Sequence, residues 1–269
     1  MAVTIMGILN LSPDSFWEPG RVGRELFLRE DIDCVDIGAV STRPGAAPVS
    51  VEEEWSRLKP CLEALPQDNP FGKPISIDTT SSEIVRRAYD TIGEFTVNDI
   101  SSGEADERML ALVGRLGLRY IAMHKRGTPA DMDTLCDYSQ YPDGVVGAVS
   151  EYFDKFAVKA AGAGIRDWVL DPGFGFAKTP EQNIALLKAI PEFKEKGHPV
   201  LVGVADKRFT RSPEAAAFLK EWPQFAGCDT PSHALENVAV FLGADILRVH
   251  VILSQPLSPW RSCSAQLQT

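Results

Sequence analysis

Trp168-Val-Leu-Asp171-Pro-Gly-Phe-Gly-Phe176 is an apolar run that ends in an acid and leads directly into a glycine-rich loop. Three similar runs lie at residues 74–78, 95–98 and 200–204, and the last is followed by Ala-Asp-Lys207. Each run predicts a buried strand with a polar residue at or just after its carboxyl end. In a parallel barrel all such ends open onto one face, where the active site lies. We therefore expect four side chains to converge on that face: Asp78, Asn98, Asp171 and Lys207.

Strand-like runs occur eight times along the chain, at residues 3–9, 34–38, 74–78, 95–98, 119–124, 168–171, 200–204 and 246–250. Helical patterns separate most of them, at residues 51–64, 82–89, 107–116, 145–163, 179–190 and 232–242. Strands that alternate with helices indicate a parallel sheet, and eight strands favour a closed barrel over an open sheet. The sequence therefore predicts an α/β fold, a (β/α)8 TIM barrel formed as a single domain by residues 1–250.

Two places depart from this alternating pattern. Between Phe16 and Cys34 there is room only for a short helix at residues 25–30. Residues 251–269 contain Pro256 and Pro259 and show no helical period, and a proline inside a helix costs about 3 kcal/mol. We expect a short first crossover helix, a poorly formed last helix, and an irregular or disordered C-terminal tail.

The bulk composition is that of an ordinary globular protein, with 44% hydrophobic and 24% charged residues. A net charge of −10 argues against broad nucleic-acid binding. No run approaches the roughly 18 apolar residues of a membrane span, and the N-terminus lacks a signal pattern. The five cysteines are widely spread without a C-x-x-C pair, which favours a reducing compartment. We expect a cytoplasmic protein that binds small molecules rather than nucleic acid or membrane.

The loops after the first two predicted strands carry candidate ligand groups. The amide oxygen of Asn10 suits a hard cation such as Mg2+, whereas in the alternative Asn10 and Asp14 only satisfy backbone groups of a turn. Thr42, Arg43 and Pro44 follow the second strand. The guanidinium of Arg43 suits a phosphate or a carboxylate, and a surface arginine in a turn is the alternative.

The loops after the sixth and eighth strands add aromatic and cationic groups. Alternation places Arg248 and His250 on the same side of the last strand. Barrels often bind phosphate near their last strands, so an anion site is favoured over a purely structural histidine. Phe174 and Phe176 are placed either to wall an aromatic substrate or to close the core. Together with two carboxylates, an amide and an ammonium, these groups indicate an enzyme that binds a flat, nitrogen-rich heterocycle.

Eight motifs occur in one order along the chain: Met6-Gly-Ile-Leu-Asn-Leu-Ser-Pro-Asp-Ser-Phe16, Asp36-Ile-Gly, Ser41-Thr-Arg-Pro-Gly-Ala46, Ile77-Asp-Thr79, Asn98-Asp99, Met123-His124, Asp171-Pro-Gly-Phe-Gly-Phe176 and Arg248-Val-His250. The ordered set resembles the dihydropteroate synthase family. The resemblance implies a (β/α)8 barrel, usually a homodimer, that uses Mg2+. It implies a transferase of folate biosynthesis, which joins 6-hydroxymethyl-7,8-dihydropterin pyrophosphate to p-aminobenzoate and releases pyrophosphate. Sulfonamides would compete for the p-aminobenzoate site.

The same resemblance implies roles for individual residues. The pterin ring would bind Asp78, Asn98, Asp171 and Lys207. The p-aminobenzoate pocket would be formed by Thr42, Arg43, Pro44 and Phe176, with Arg208 where the family has a serine near the substrate carboxylate. The diphosphate would be held by Asn10, Arg43, Arg248 and His250, with Asn10 as the ligand of Mg2+. The residues expected to carry catalysis are Lys207, Arg248 and His250.

The chain also departs from the family pattern. Ala205-Asp206-Lys207-Arg208 stands where Ser-Arg-Lys-Ser is usual, Val40 replaces a glutamate, and Val251 replaces the aspartate of Arg-Val-His-Asp. These changes leave two alternatives open: a catalytically impaired pterin-binding paralogue, and the pterin-binding domain of a methyltransferase. The motifs at Asn10, Arg43 and Arg248 fit diphosphate chemistry better, so dihydropteroate synthase is the leading prediction.

Overall fold

The computed structural model of the chain describes residues 3–11, 22–41, 49–128 and 131–250. Eight strands occur in this part of the chain: β1 Thr4–Asn10, β2 Cys34–Gly38, β3 Ile75–Asp78, β4 Thr96–Asp99, β5 Arg119–Met123, β6 Trp168–Asp171, β7 Leu201–Val202 and β8 Ile246–Val249. All pairings are parallel. Neighbouring strands follow the order β6-β5-β4-β3-β2-β1-β8-β7. A bridge between Leu170 and Val200 joins the two ends of this order and closes the barrel, which confirms the predicted fold.

Helices connect the strands and cover the barrel. They are α1 Val22–Leu28, α2 Val51–Asp68, α3 Ser82–Ile92, α4 Met109–Leu116, α5 Gly144–Ala163, α6 Pro180–Lys188, α7 Ile190–Lys194, α8 Pro213–Leu219 and α9 Pro231–Phe241. The first crossover helix, α1, has only seven residues, as predicted. None of the helices in the described ranges has both the length and the apolar content needed to cross a membrane.

Two short helices, α7 and α8, were not predicted. Both have a proline in their first turn, where its missing N–H leaves no hydrogen bond unmade. The side chain of Ser212 caps α8 by accepting a hydrogen bond from the backbone N–H of Ala215. The predicted last helix and the tail at residues 251–269 lie outside the described residues.

Strand alternation separates the interior of the barrel from its outer layer. The lower interior is filled by a cluster of six buried side chains: Met6, Cys34, Ile121, Val169, Leu201 and Ile246. Successive inward positions on a strand are two residues apart, so the next residues toward the carboxyl end of β2 and β8 are Asp36 and Arg248. The alternate side chains, such as Val35 and Leu247, pack with the surrounding helices in the main core. The apolar floor therefore positions a polar layer at the mouth of the barrel.

Candidate active site

The four side chains predicted to converge line one recess at the carboxyl ends of the strands. They are Asp78, Asn98, Asp171 and Lys207. Asn98 and Asp171 are 3% and 8% exposed, so their polar groups are almost completely withdrawn from water. We call this space the inner recess. A buried polar group is stable only when it is hydrogen-bonded, and the partners of these groups therefore determine what the recess can bind.

Arg248 forms the centre of a charge network across the inner recess. Its Nε lies 2.7 Å from Asp36 Oδ2, and its Nη2 lies 2.8 Å from Asp78 Oδ2. Asn98 Nδ2 also donates to Asp36 Oδ2, at 3.1 Å. Asp36 is fully buried, and its Oδ1 accepts no hydrogen bond from the described residues. Asp36 is not among the residues that line the recess, so it acts on the recess through Arg248 and Asn98.

Asp36 is a site residue to which the sequence-based prediction gave no role. It lies inside β2, with Val35 and Ile37 on either side, rather than at the strand's end. An acid within an otherwise apolar strand is the signal that marks it, because a buried charge requires a partner.

The two acids of the recess have raised pKa values. Burial raises the pKa of Asp78, and the neighbouring Asp36 raises it further, while Arg248 acts in the opposite direction. Burial also raises the pKa of Asp171. The backbone N–H of Gly173, 2.8 Å from Asp171 Oδ1, opposes that shift because it stabilises the carboxylate.

Lys207 reaches the recess from the turn after β7. Its Nζ lies 4.6 Å from the centre of the Phe176 ring, in a cation–π contact. Burial, followed by the charge of Arg248, lowers the pKa of Lys207 to about 8. A side chain at position 175 would crowd the Lys207 stem, because a Cβ on Gly175 would lie 3.3 Å from Lys207 Cδ. With a pKa of about 8, the amine of Lys207 is mostly charged at pH 7 and titrates just above it.

A wider outer cleft opens above the inner recess. The predicted residues among those that line it are Asn10, Asp78, Phe176, Lys207, Arg208, Arg248 and His250. His250 is exposed just beyond β8 and lines both spaces with Arg248, as strand alternation predicted. Thr42, Arg43 and Pro44 lie outside the described residues. Phe174 is 1% exposed and stacks on Phe209, so it packs in the core, and it is also among the residues that line the inner recess.

The loop from Asp171 to Lys178 has a conformation that requires glycine. Gly173 has a φ of 71°, and a Cβ there would lie 1.9 Å from the carbonyl oxygen of His124. Any larger residue would therefore displace the loop from the end of β5. Lys178, which was not predicted as a site residue, lies under this loop and is 8% exposed.

The donor set does not form a resident metal site within the described residues, where no group of three or more His, Cys, Asp or Glu side chains could hold an ion. Asn10, which ends β1, lines the outer cleft, and its side chain has one amide oxygen. A single neutral oxygen fits Mg2+ that arrives with substrate phosphates and keeps several waters. Asn10 therefore fits as one ligand of a substrate-borne ion.

The model of a protein family described as "Pterin binding enzyme" matches residues 6–250. A dihydropteroate synthase from Synechocystis is 38% identical over 258 residues, which cover 91% of this chain and 84% of that protein. The chain belongs to the dihydropteroate synthase family. A crystal structure of the Thermus thermophilus dihydropteroate synthase, in complex with 4-aminobenzoate, agrees with a TM-score of 0.74 and 37% identity, covering 99% of this chain and 93% of that one.

Other relatives are longer. The chain spans 53% of a folate synthesis bifunctional protein from pea, to which it is 35% identical. The comparisons confirm the predicted family, and with it a transferase that acts as a dihydropteroate synthase on small-molecule substrates.

Two departures from the dihydropteroate synthase pattern have visible structural consequences. Asp206 adopts a left-handed φ of 54° and is directed to the surface, where its carboxylate lies 3.6 Å from Arg211. Asp206 and Val40 both line the outer cleft. Neither residue lines the inner recess, so the departures affect the outer part of the site.

Proposed function

We propose that this site joins 6-hydroxymethyl-7,8-dihydropterin pyrophosphate to p-aminobenzoate, and that the inner recess holds the pterin. The observation that carries the proposal is the convergence of two acids, an amide and an ammonium around Arg248. A pterin ring presents amino and ring N–H donors on one side and a carbonyl on the other. Asp78, Asn98 and Asp171 would meet the nitrogen side, and Lys207 would meet the carbonyl.

The diphosphate of the substrate would lie at the outer end of the recess. Arg248 and His250 line both the recess and the cleft, and a guanidinium favours phosphate oxygens through paired hydrogen bonds. Arg43 would add a second cation. Asn10 would ligate Mg2+ on the diphosphate, and the ion would supply further positive charge to the leaving group.

The reaction would proceed by ionisation at the pterin methylene. The carbon–oxygen bond to the diphosphate breaks, and the electron-rich ring stabilises the cation that remains. The aniline nitrogen then attacks this carbon and loses a proton. Because an aniline is already mostly neutral at pH 7, no strong general base is required. The protein's work is to stabilise charge on the departing pyrophosphate and to align the two partners.

The p-aminobenzoate would lie in the outer cleft against the half-buried ring of Phe176. Arg208, exposed at the start of a 3-10 turn over Arg208–Arg211, would bind the substrate carboxylate in place of the usual serine. Thr42, Arg43 and Pro44 would complete the pocket. The solved Thermus relative in complex with 4-aminobenzoate supports this choice of second substrate.

Release of pyrophosphate tests the proposal. Purified protein with Mg2+ and the pterin pyrophosphate should release pyrophosphate at a rate that depends on added p-aminobenzoate. No release above the protein-free rate, in a sample that binds the pterin, would contradict the proposal.

One specific observation supports the alternative of a catalytically impaired paralogue. Asp206 and Val40 depart from the family pattern on the side of the second substrate, which is consistent with a pterin-binding paralogue that has lost turnover. Asp206 and Val40 line the outer cleft but not the inner recess, so such a paralogue would still bind the pterin and would lose only the use of the second substrate. The methyltransferase alternative has no comparable support, since the curated relatives are named for dihydropteroate or folate synthesis.

The remaining expectations concern organisation. We expect residues 1–250 to act as one pterin-binding domain, residues 251–269 to lie outside it, and the protein to form a homodimer in the cytoplasm. Sulfonamide sensitivity is a further expectation from the family. Sedimentation of the purified chain tests the dimer, and inhibition of pyrophosphate release tests the sulfonamide response.

A further inference from the structure

Lys178 is a buried lysine that the proposed reaction does not use. Its Nζ lies 2.9 Å from the carbonyl oxygen of Gly173, 2.9 Å from that of Phe176 and 3.1 Å from His124 Nδ1. The carbonyl oxygen of His124 lies slightly farther away, at 3.4 Å. An ammonium has three N–H donors, and each of them has a close acceptor here.

The acceptors belong to the loop that carries two site residues. Gly173 donates its N–H to Asp171 at one end of the loop. Phe176, at the other end, places its ring against Lys207. Lys178 therefore ties together the backbone between the pterin-facing acid and the wall of the outer cleft, and anchors both to the end of β5 at His124.

The loop is under conformational strain that such a tie would offset. Ala177 has a φ of 52°, a left-handed conformation that is unfavourable for a residue with a side chain. Two other contacts restrain the same segment: Asn183 Oδ1 accepts from the Gly175 N–H at 2.7 Å, and the Tyr138 hydroxyl donates to the Ala177 carbonyl at 3.0 Å. Lys178 is the charged member of this set.

Charge and protonation are consistent with the contacts. Burial lowers the pKa of His124 well below its usual range, and the positive charge of Lys178 lowers it further. The imidazole is therefore neutral, and its Nδ1 can accept a hydrogen bond from the ammonium. Burial also lowers the pKa of Lys178 to about 7, although the charge of Asp171 opposes this shift. The amine is therefore mostly an ammonium, with all three N–H donors, only below about pH 7.

We propose that Lys178 is a positioning residue for the second substrate, which holds Phe176 in the place where its ring walls the p-aminobenzoate pocket. The proposal rests on the proposed function. Lys178 is among the residues that line the outer cleft, but the three N–H donors of its ammonium are directed to Gly173, Phe176 and His124, so it would act through the loop rather than by touching a reacting atom. Phe176 lines both the inner recess and the outer cleft. The pterin pocket has further residues that end barrel strands, such as Asp171 on β6, so we expect it to depend on Lys178 less than the outer cleft does.

The test uses the full chain with the variant Lys178→Met, which keeps the length of the stem and removes the ammonium. Lys159→Met is the matched control, because Lys159 is exposed on α5. The first readout is amide hydrogen exchange of residues 173–177, which requires no turnover. The second is the KM for each substrate, measured separately.

In Lys178→Met we expect the amide hydrogens of residues 173–177 to exchange faster than in the wild type. We also expect the KM for p-aminobenzoate to rise about tenfold or more. The KM for the pterin pyrophosphate should change by less than about threefold. Lys159→Met should leave all three quantities unchanged. If the first variant does not fold, Lys178→Gln retains two N–H donors and should give the same split with a smaller rise.

Unchanged exchange in a folded variant, or an equal rise in both KM values, would overturn the positioning role. A wild type without turnover would contradict the proposed function separately. In that case the Kd of p-aminobenzoate, measured by calorimetry in the presence of the pterin pyrophosphate, replaces its KM. Weaker binding in Lys178→Met together with faster exchange would still support the inference, and unchanged binding would overturn it.

Discussion

Arg248 Nη2 lies 2.8 Å from Asp78 Oδ2, so the guanidinium holds the carboxylate that we expect the pterin to use. The same guanidinium also binds the fully buried Asp36. Removing one member of a buried ion pair leaves an uncompensated charge, which is costly. The guanidinium therefore offsets the charge of both carboxylates in the free site.

Removing Arg248 should move the acidic limit of pterin binding to higher pH. Burial already raises the pKa of Asp78, and the charge of Arg248 opposes that rise. Without the guanidinium the pKa of Asp78 rises further, and the carboxylate that accepts the pterin N–H forms only at higher pH. The measurement is the Kd of a 6-hydroxymethylpterin as a function of pH in the wild type and in Arg248→Met. Arg208→Met, which removes a charge from the outer cleft, is the control. If the pH midpoint of pterin binding in Arg248→Met is equal to or lower than that of the wild type, Arg248 does not keep Asp78 ionised.

Asp171 should contribute strongly to pterin affinity. Hydrogen bonds to a charged group contribute about 1.5–3 kcal/mol, so Asp171→Asn should weaken pterin binding about 10- to 150-fold. Asp206→Asn makes the same chemical change at an exposed position outside the inner recess, and should have little effect. Thr42→Ala, in the predicted p-aminobenzoate pocket, should also have a much smaller effect on pterin binding. Equal increases of the calorimetric Kd in Asp171→Asn and in either control would contradict the assignment of Asp171 to the pterin pocket.

Pterin affinity should also decline on the alkaline side. The pKa of Lys207 is lowered to about 8, so its amine is charged below that pH and neutral above it. Binding of a carbonyl favours the charged form. Affinity is therefore full below about pH 8 and falls by up to about tenfold per pH unit above it. Lys207→Arg stays protonated and should lose this alkaline decline, whereas Lys178→Arg should keep it. If pterin affinity in Lys207→Arg still declines above about pH 8 as in the wild type, a group other than Lys207 causes the decline.

Arg208 and Arg211 provide a matched pair for the second substrate. They begin and end the same 3-10 turn, but only Arg208 is among the residues that line the outer cleft. We expect Arg208→Ala to raise the KM for p-aminobenzoate about tenfold, as expected for loss of a charge-assisted hydrogen bond. Arg211→Ala should leave it unchanged. Equal KM values in the two variants would show that the substrate carboxylate binds elsewhere.

The barrel and the inner recess were largely predictable because both depend on local patterns. Asp78 and Asp171 end apolar strands, and parallel strand polarity brings such ends together. The role of Asp36 was not predictable in this way. It lies within a strand, and its main partner, Arg248, is 212 residues away in sequence.

The role of Lys178 escaped prediction for a different physical reason. Its acceptors are backbone carbonyls, which every residue has, and they converge only because the loop adopts left-handed conformations at Gly173, Gly175 and Ala177. Glycine indicates that such a conformation is available, but Ala177 gives no such signal. The short helices α7 and α8 were missed since their apolar periods are brief and each has a proline in its first turn.

Formation of 7,8-dihydropteroate is the measurement that tests the account most directly. The purified chain is incubated with Mg2+, the pterin pyrophosphate and p-aminobenzoate, and the product is followed by chromatography. We predict product formation that requires both substrates, which would show that the Lys207 and Arg208 side of the site still works. Absence of product, with pterin binding confirmed in the same sample, would contradict the account and favour the impaired paralogue.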